Sequence, residues 1–162
     1  MSLTVTGLDE FQQAFQRLFK EALSPEHVLE SIGSEAALLV QEGFDNSRDP
    51  YGQAWEPVKR GGNPLYETGD NMRSSIKYEV GTNAVDVGLT FPYAGVHQDG
   101  ATIRAKNADY LVFRVGEQWV KKKEVTIPQR KILPDQGLSS DWSERLRLSG
   151  GSALIQFMLH DT

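Results

Sequence analysis

The chain has 162 residues, of which 39% are hydrophobic and 24% are charged, and its formal net charge at pH 7 is −5. This length suits one folded domain over residues 1–162, and the composition excludes a disordered chain and a fibrous repeat. The absence of cysteine excludes disulfides and thiolate metal sites, no apolar run is long enough to predict a membrane partner, and the negative charge disfavours general nucleic-acid binding.

Two amphipathic helices are predicted in the N-terminal region, residues 8–43. Apolar residues recur there at spacings of three and four, in two stretches separated by Ser24 and Pro25. A serine cap followed by a first-turn proline is a typical helix start. The second helix is expected to end near Glu42, because Gly43 and a polar stretch follow.

An irregular loop is predicted over residues 44–67, which contain three prolines. We expect Trp55 to anchor this loop in the core.

Part of this loop imitates the spacing of a calcium-binding loop. Oxygen-bearing side chains stand at Asp45, Ser47, Asp49 and Glu56. The sixth position, where the sharp turn requires glycine, is occupied by Pro50. We therefore interpret the stretch as a polar turn and predict no metal site.

Residues 68–133 are predicted to form a β-rich core. Apolar and polar residues alternate in "IKYEV" and "AVDVGL" around "GTN", which predicts a hairpin. A second hairpin is predicted from "DYLVFRV" to "QWVKKKEV", with Gly116 and Glu117 as a two-residue turn. The strand "VTI" then ends at Pro128, which cannot donate a ladder hydrogen bond.

Residues 139–160 predict two short helices separated by Gly150 and Gly151. The order of elements indicates the α+β class: N-terminal helices packed on an antiparallel sheet built from two hairpins, followed by C-terminal helices.

The stretch "FPYAGVHQDG" contains the one histidine with a motif-like setting, His97. With Asp99 and with Ser74 or Ser75 it offers the residue types of a hydrolase, but no nucleophile elbow accompanies them. We interpret His97 as a hydrogen-bonding corner residue. The protein is expected not to be an enzyme and to need no cofactor, and a hydrolase is the least supported alternative.

A basic segment covers residues 101–131, which carry eight basic and three acidic residues, so the rest of the chain has a balance of −10. Its "KKK" run, Lys121 to Lys123, has two interpretations. The lysines could guard an exposed edge strand and meet the acidic surface of another copy. Alternatively they could grip a phosphate backbone while Trp119 and Tyr110 stack on bases.

Four short blocks occur in order: "DPYGQAWEPV", "LYETGDNMRSSI", "VDVGLTFPYAGVHQDG" and "TIPQRKIL". Together they resemble the phage virion morphogenesis family, the tail-completion or head-tail joining proteins of tailed phages and prophages. The matching positions are Asp49, Gly52 and Trp55; Leu65, Thr68, Gly69 and Met72; Tyr93, Ala94, His97 and Gly100; and Ile127, Pro128 and Arg130. The chain departs from the family pattern at Met72, where leucine is commoner, and at Gln129, where alanine is frequent.

The resemblance implies structural roles for these positions. His97 would be a corner residue whose ring bonds hold the chain between two sheet segments. Gly69 and Gly100 would be turns that leave no room for a side chain, and Arg130 a fixed cation for carboxylates or backbone carbonyls. It also implies a non-catalytic subunit that completes the tail or joins tail to head, located in the virion and, during assembly, in the host cytoplasm.

The expected partners are other copies in a ring, tail-tube or head-tail connector proteins, and at most DNA passing through. The alternative is a small DNA-binding module that uses residues 101–131.

Overall fold

The structure is a computed structural model that describes residues 26–58, 61–62, 64–65, 72–115 and 117–160, except for the side chains of 154–160. Its elements are α1 (Glu26–Asn46), β1 (Ile76–Val80), β2 (Val85–Leu89), α2 (Ala94–Asp99), β3 (Ala101–Arg104), β4 (Leu111–Val115), β5 (Gln118–Lys122), β6 (Glu124–Ile127) and α3 (Ser140–His160). The predicted α+β class is confirmed. Within these residues, no helix combines the length and apolar character that a membrane crossing requires.

The predicted helix over residues 8–23, Thr68 and Gly69 lie outside the described residues. The second predicted helix is α1. It ends at Asn46, which is later than the predicted end near Glu42. The helix continues through Gly43 to Asn46 because the buried Phe44 packs in the core, and the Gly43 carbonyl then accepts a hydrogen bond from the Arg48 N–H at 3.0 Å. Ser47 follows the helix with a φ of 51°, so the chain closes the helix in a Schellman-type C-cap.

The C-terminal region forms one continuous helix, α3, so the prediction of two helices separated by glycines was wrong. Gly150 is buried against α1, where an added Cβ would lie 3.0 Å from Ile32 Cδ1 and 3.4 Å from Val28 Cγ1. The missing side chain lets the two helices approach closely. This packing outweighs the cost of a helical glycine, which is about 1 kcal/mol relative to alanine.

Polar contacts also join α1 to α3. The hydroxyl groups of Ser31 and Ser149 lie 2.7 Å apart. The Arg145 guanidinium contacts Glu35 at 2.7 Å and Glu42 at 2.5 Å. The hydrogen bond from Arg145 lowers the pKa of Glu42, so this carboxylate remains ionised.

The strands form three two-stranded antiparallel ladders. The first predicted hairpin is confirmed by the β1–β2 register, in which Ile76 pairs with Leu89 and Val80 with Val85. The second is confirmed by β4–β5, in which Val115 pairs with Gln118.

The remaining ladder joins β6 to β3, a strand that the sequence analysis did not predict. Strand β6 ends immediately before Pro128, as expected.

The described core gathers α1, the loop after it, β1, the segment after β6 and α3. Its buried members are Leu39, Val40, Phe44, Trp55, Leu65, Met72, Ile76, Ile132 and Trp142. Helix α1 lies at the centre, because it packs against α3 and also against β1 and β2.

Gly33 sets the distance between α1 and β1. A Cβ at this position would lie 2.4 Å from Cδ2 and 3.0 Å from Cγ of the Tyr78 ring. The added Cβ would contact several atoms of the Tyr78 ring, so a rotation of the ring would not relieve the overlap. The Tyr78 hydroxyl also donates to Glu30 at 3.1 Å. Any side chain at residue 33 therefore separates the helix from the hairpin.

We expect Gly33→Ala to lower the free energy of unfolding by about 1 to 2 kcal/mol, because overpacking exceeds the gain in helix propensity. Gly151→Ala is the matched control, since nothing lies within 4 Å of its added Cβ. The control should raise stability by up to about 1 kcal/mol. Urea denaturation of both variants measures the difference, and equal effects would contradict the packing argument.

Candidate assembly surface

The first block of matched residues forms a tight loop after α1. The Asp49 carboxylate accepts hydrogen bonds from the N–H groups of Tyr51 at 2.9 Å and Gln53 at 2.8 Å. Gly52 adopts a φ of 85°, which favours glycine. Asp49 therefore shapes the loop. Asp45 instead forms an ion pair with Arg73 at 2.9 Å. The calcium-like spacing is used for a turn and an ion pair.

Tyr51 and Trp55 connect this loop to residues 128–137, which we call the strap. The Tyr51 hydroxyl accepts hydrogen bonds from the N–H groups of Asp135 at 3.0 Å and Gln136 at 2.8 Å. The Trp55 indole donates to the Lys131 carbonyl at 3.0 Å and packs edge-on against Phe44. Trp55 is thus the anchor that was expected, and it also fixes the backbone of the strap.

Arg130 is buried at the start of the strap, with 6% of its surface exposed. Its guanidinium donates to the carbonyl of Glu56 through Nε at 3.2 Å and Nη2 at 3.0 Å. Its own N–H donates to the carbonyl of His97 at 2.7 Å. Burial lowers the pKa of this guanidinium. The expected partners of Arg130 were carboxylates or backbone carbonyls, and its guanidinium binds a backbone carbonyl.

The ring of His97 does not make the hydrogen bond that was expected of it. Its Nδ1 atom is buried and has no hydrogen-bond partner in the part of the chain that the structure describes. Burial, and then the nearby charge of Arg130, lower the pKa of His97. The residue lies in the short helix α2, and it is its backbone carbonyl that holds the strap.

Gln98 performs the role that the sequence analysis gave to His97. Its Nε2 donates to the Leu133 carbonyl at 2.8 Å. Its Oε1 accepts from the N–H groups of Ile132 at 2.8 Å and Leu133 at 3.0 Å. One side-chain amide therefore satisfies three backbone groups of the strap.

Gly100 and Pro128 lie where β3 and β6 meet the strap. Gly100 has a φ of 70°, and an added Cβ would lie 3.0 Å from the backbone nitrogen of Gln129. Tyr93 differs from the other matched residues, because 64% of its surface is exposed and its ring contacts Phe91. Most of the matched positions thus build one internal junction between the loop after α1, α2 and the strap.

The β4–β5 hairpin has the opposite character. Lys121, Lys122 and Lys123 are all exposed. Trp119 is 72% exposed, and Tyr110, Val112 and Val115 are each about half exposed. Strands β4 and β5 make their extensive contacts only with each other. Because an isolated two-stranded hairpin is only marginally stable in water, this one presents a basic and apolar surface that lacks a packing partner among the described elements.

A pocket of about 320 Å³ lies between α1, the loop after it and the start of α3. Leu39, Ile132 and Trp142 line it with apolar surface, and Glu42, Asp49 and Asp141 contribute carboxylates. Arg48 is the cation at its margin, and its guanidinium donates to the Gly52 carbonyl at 3.0 Å. The pocket is therefore apolar inside with a net acidic margin.

The described residues show no arrangement typical of a hydrolase. The Ser75 hydroxyl donates to the Met72 carbonyl at 2.7 Å, and Asp99 is exposed. No cluster of three or more histidine, aspartate or glutamate side chains that could hold a metal ion occurs in this part of the chain.

Sequence reasoning missed Tyr51, Gln98 and Arg145, which make the most hydrogen bonds across the junction and between the helices. Tyr51 and Gln98 lie inside the matched blocks but not at their matching positions, and their partners lie far away in sequence. The one available signal was their place inside those blocks.

The family model of the phage virion morphogenesis family matches residues 7–148. No curated protein and no solved structure shows significant similarity to the chain.

We expect Gln98→Glu to lower the free energy of unfolding at pH 7 by about 1 to 3 kcal/mol, because a carboxylate oxygen would replace the N–H that faces the Leu133 carbonyl. Gln136→Glu introduces the same charge at an exposed position of the strap and should change stability by no more than about 0.5 kcal/mol. Chemical denaturation measures both variants. Similar effects at the two positions would contradict the role of Gln98.

Stability should also depend on pH through His97. Because its pKa is lower in the folded protein than its ordinary value of 6.5, the unfolded chain binds more protons as the pH falls below that value. The contribution of His97 to the free energy of unfolding is therefore fully present above about pH 6.5 and is lost as the pH falls below that value. Thermal unfolding of His97→Gln across this pH range should show a smaller loss than the unsubstituted protein. Parallel pH curves for the two proteins would exclude His97 as the cause.

Proposed function

We propose that this chain, which belongs to the phage virion morphogenesis family, is a non-catalytic structural subunit that completes the phage tail or joins it to the head. Family membership gives the chain a role in virion assembly. The proposal adds the position in the particle, which is the tail or neck, and a ring of identical subunits around the DNA path. The subunit would be made in the host cytoplasm and would enter the virion during assembly.

The observation that carries this proposal is the exposed β4–β5 hairpin. It combines three lysines with large exposed apolar side chains, whereas α3 and the β1–β2 hairpin pack against α1. Such a surface is expected of a subunit that becomes fully ordered on joining its partners. The proposed partners are other copies of the chain and a tail-tube or head-tail connector protein.

Charge supports contact between copies. The segment containing the hairpin has a balance of +5 and the remainder −10. A head-to-tail contact joins two different surfaces, and it produces a closed ring when the rotations from each copy to the next add up to a full turn. Opposite charges then favour the correct pairing and its rate of formation.

The matched residues support a role without catalysis. Asp49, Trp55 and Arg130 direct their polar atoms at backbone groups of the same chain. These atoms are consequently occupied in holding the fold and are not presented to a substrate.

A second candidate, a DNA-binding module, is favoured by the exposure of Trp119 and Tyr110 beside the lysines. Aromatic rings next to cations suit stacking on single-stranded bases. The two candidates differ in salt dependence, since phosphate contacts predict affinity for DNA that falls steeply as salt rises. An assembly subunit is expected to bind little DNA at physiological ionic strength.

We expect reversal of Lys121, Lys122 and Lys123 to glutamate to reduce the yield of joined, infectious particles by roughly tenfold or more, because three attractive contacts become repulsive. The effect should be largest at low salt. The variant is supplied to the parent phage or induced prophage lacking this gene, and particles are counted by titre and electron microscopy.

The matched control replaces the same three lysines with arginine, which keeps the charges and should keep assembly. A glutamate variant that joins tails as well as the arginine variant does would argue against the role of the hairpin. Light scattering of the purified protein across concentrations gives its mass and tests the ring directly.

A further inference from the structure

We propose that the β4–β5 hairpin of one subunit docks, through the face that carries Trp119, into the pocket between α1 and α3 of a neighbouring copy. This inference rests on the proposed assembly function and identifies the two surfaces that would meet. The docking is head-to-tail, because each copy offers one hairpin and one pocket.

One face of the hairpin is defined by the strand register. Val112 pairs with Lys121, and Arg114 pairs with Trp119. Since alternate side chains share a face, these four residues lie on the same side, and we call it the Trp119 face. All four are exposed, with Val112 at 55% and Trp119 at 72%. The face therefore alternates apolar groups with cations.

The pocket offers the complementary arrangement. Its volume of about 320 Å³ is at the lower end of the range of binding pockets, about 300 to 1,000 Å³. Leu39, Ile132 and Trp142 provide an apolar lining for an aromatic ring. The exposed Asp141 stands at its margin, where it can face Arg114 or Lys121 of the incoming hairpin, whereas Glu42 is already paired with Arg145.

Charge identifies the occupant as a second copy. The pocket margin carries the carboxylates of Glu42, Asp49 and Asp141 against the Arg48 guanidinium, and Arg145 pairs with Glu42. The net negative charge that remains disfavours the phosphate backbone of a nucleic acid. The Trp119 face contributes two cations and no acidic group. An exposed tryptophan flanked by cations, set against an apolar pocket with acidic margins, has the composition of an interface anchor and its site.

The pocket belongs to a rigid part of the subunit. Trp142 and Leu39 are core residues of α3 and α1, and Asp49 is held by two backbone N–H groups. The pocket is therefore formed before docking, and the ordering cost falls mainly on the hairpin. A preformed pocket lowers the free-energy cost of association.

Engineered cysteines test the contact directly, because the chain has none of its own. Val112→Cys places a thiol on the Trp119 face, and Ser140→Cys places one at the pocket. We expect the full-length double variant to form disulfides between subunits under mild oxidation. The control pair is Val115→Cys with Ser140→Cys, since Val115 has similar exposure but lies on the opposite face. It should cross-link weakly.

The pattern of cross-linked species separates this inference from the ring proposal. A ladder of trimers and larger species supports both docking and head-to-tail assembly. Dimers alone support docking but exclude the ring. A ring or large oligomer in light scattering without a preferential Val112 cross-link overturns docking and leaves the ring intact. Monomers without any cross-link overturn docking as well.

A second variant measures how much the Trp119 side chain contributes to self-association. Trp119→Ala should weaken self-association by about 30-fold or more, as expected for a tryptophan hot spot. Its thermal unfolding should resemble that of the unsubstituted protein, because the side chain is exposed. If Trp119→Ala leaves association unchanged but abolishes binding to a single-stranded oligonucleotide, the face belongs to nucleic acid and the inference is wrong.

Discussion

The close approach of α1 to its neighbours on two sides is the constraint on which the described structure depends. Gly150 of α3 and Gly33 of α1 provide the two contact points, and at each of them a Cβ would meet a side chain within 3.0 Å. Dispersion contacts and the exclusion of water stabilise such close packing, because they act over only a few ångströms. Once α1 is fixed in this way, its C-cap directs the following loop toward Trp55, and the loop in turn determines where the strap can lie.

The strap shows what the matched family positions do in physical terms. It is an irregular segment near the core, so its backbone groups need partners that no helix or sheet supplies. Tyr51 and Trp55 supply some of them from one side, and Gln98 and the His97 carbonyl supply others from the second. Short polar blocks far apart in the sequence are therefore parts of one hydrogen-bonding arrangement.

Local signals in the sequence were sufficient for some elements and insufficient for others. The β1–β2 hairpin and the end of β6 at Pro128 follow from alternation and from the missing N–H of proline, which are properties of neighbouring residues. The extent of α1 past Gly43 and of α3 through Gly150 depends on packing against distant segments, which overrides helix propensity. The hydrogen-bonding role expected of the His97 ring falls to the side chain of Gln98 instead. The partners of Gln98 lie more than thirty positions along the chain, and no local pattern announces them.

The continuity of β5, β6 and the strap has a mechanical consequence. Strand β5 ends at Lys122 and β6 begins at Glu124, so the single residue Lys123, where the chain bends, separates the hairpin from the strand that leads into residues 128–137. The backbone of that segment is held by Tyr51 and Trp55 on one side and by Gln98 on the other. A displacement of the hairpin is therefore passed within a few residues to the hydrogen-bonded junction beside the core.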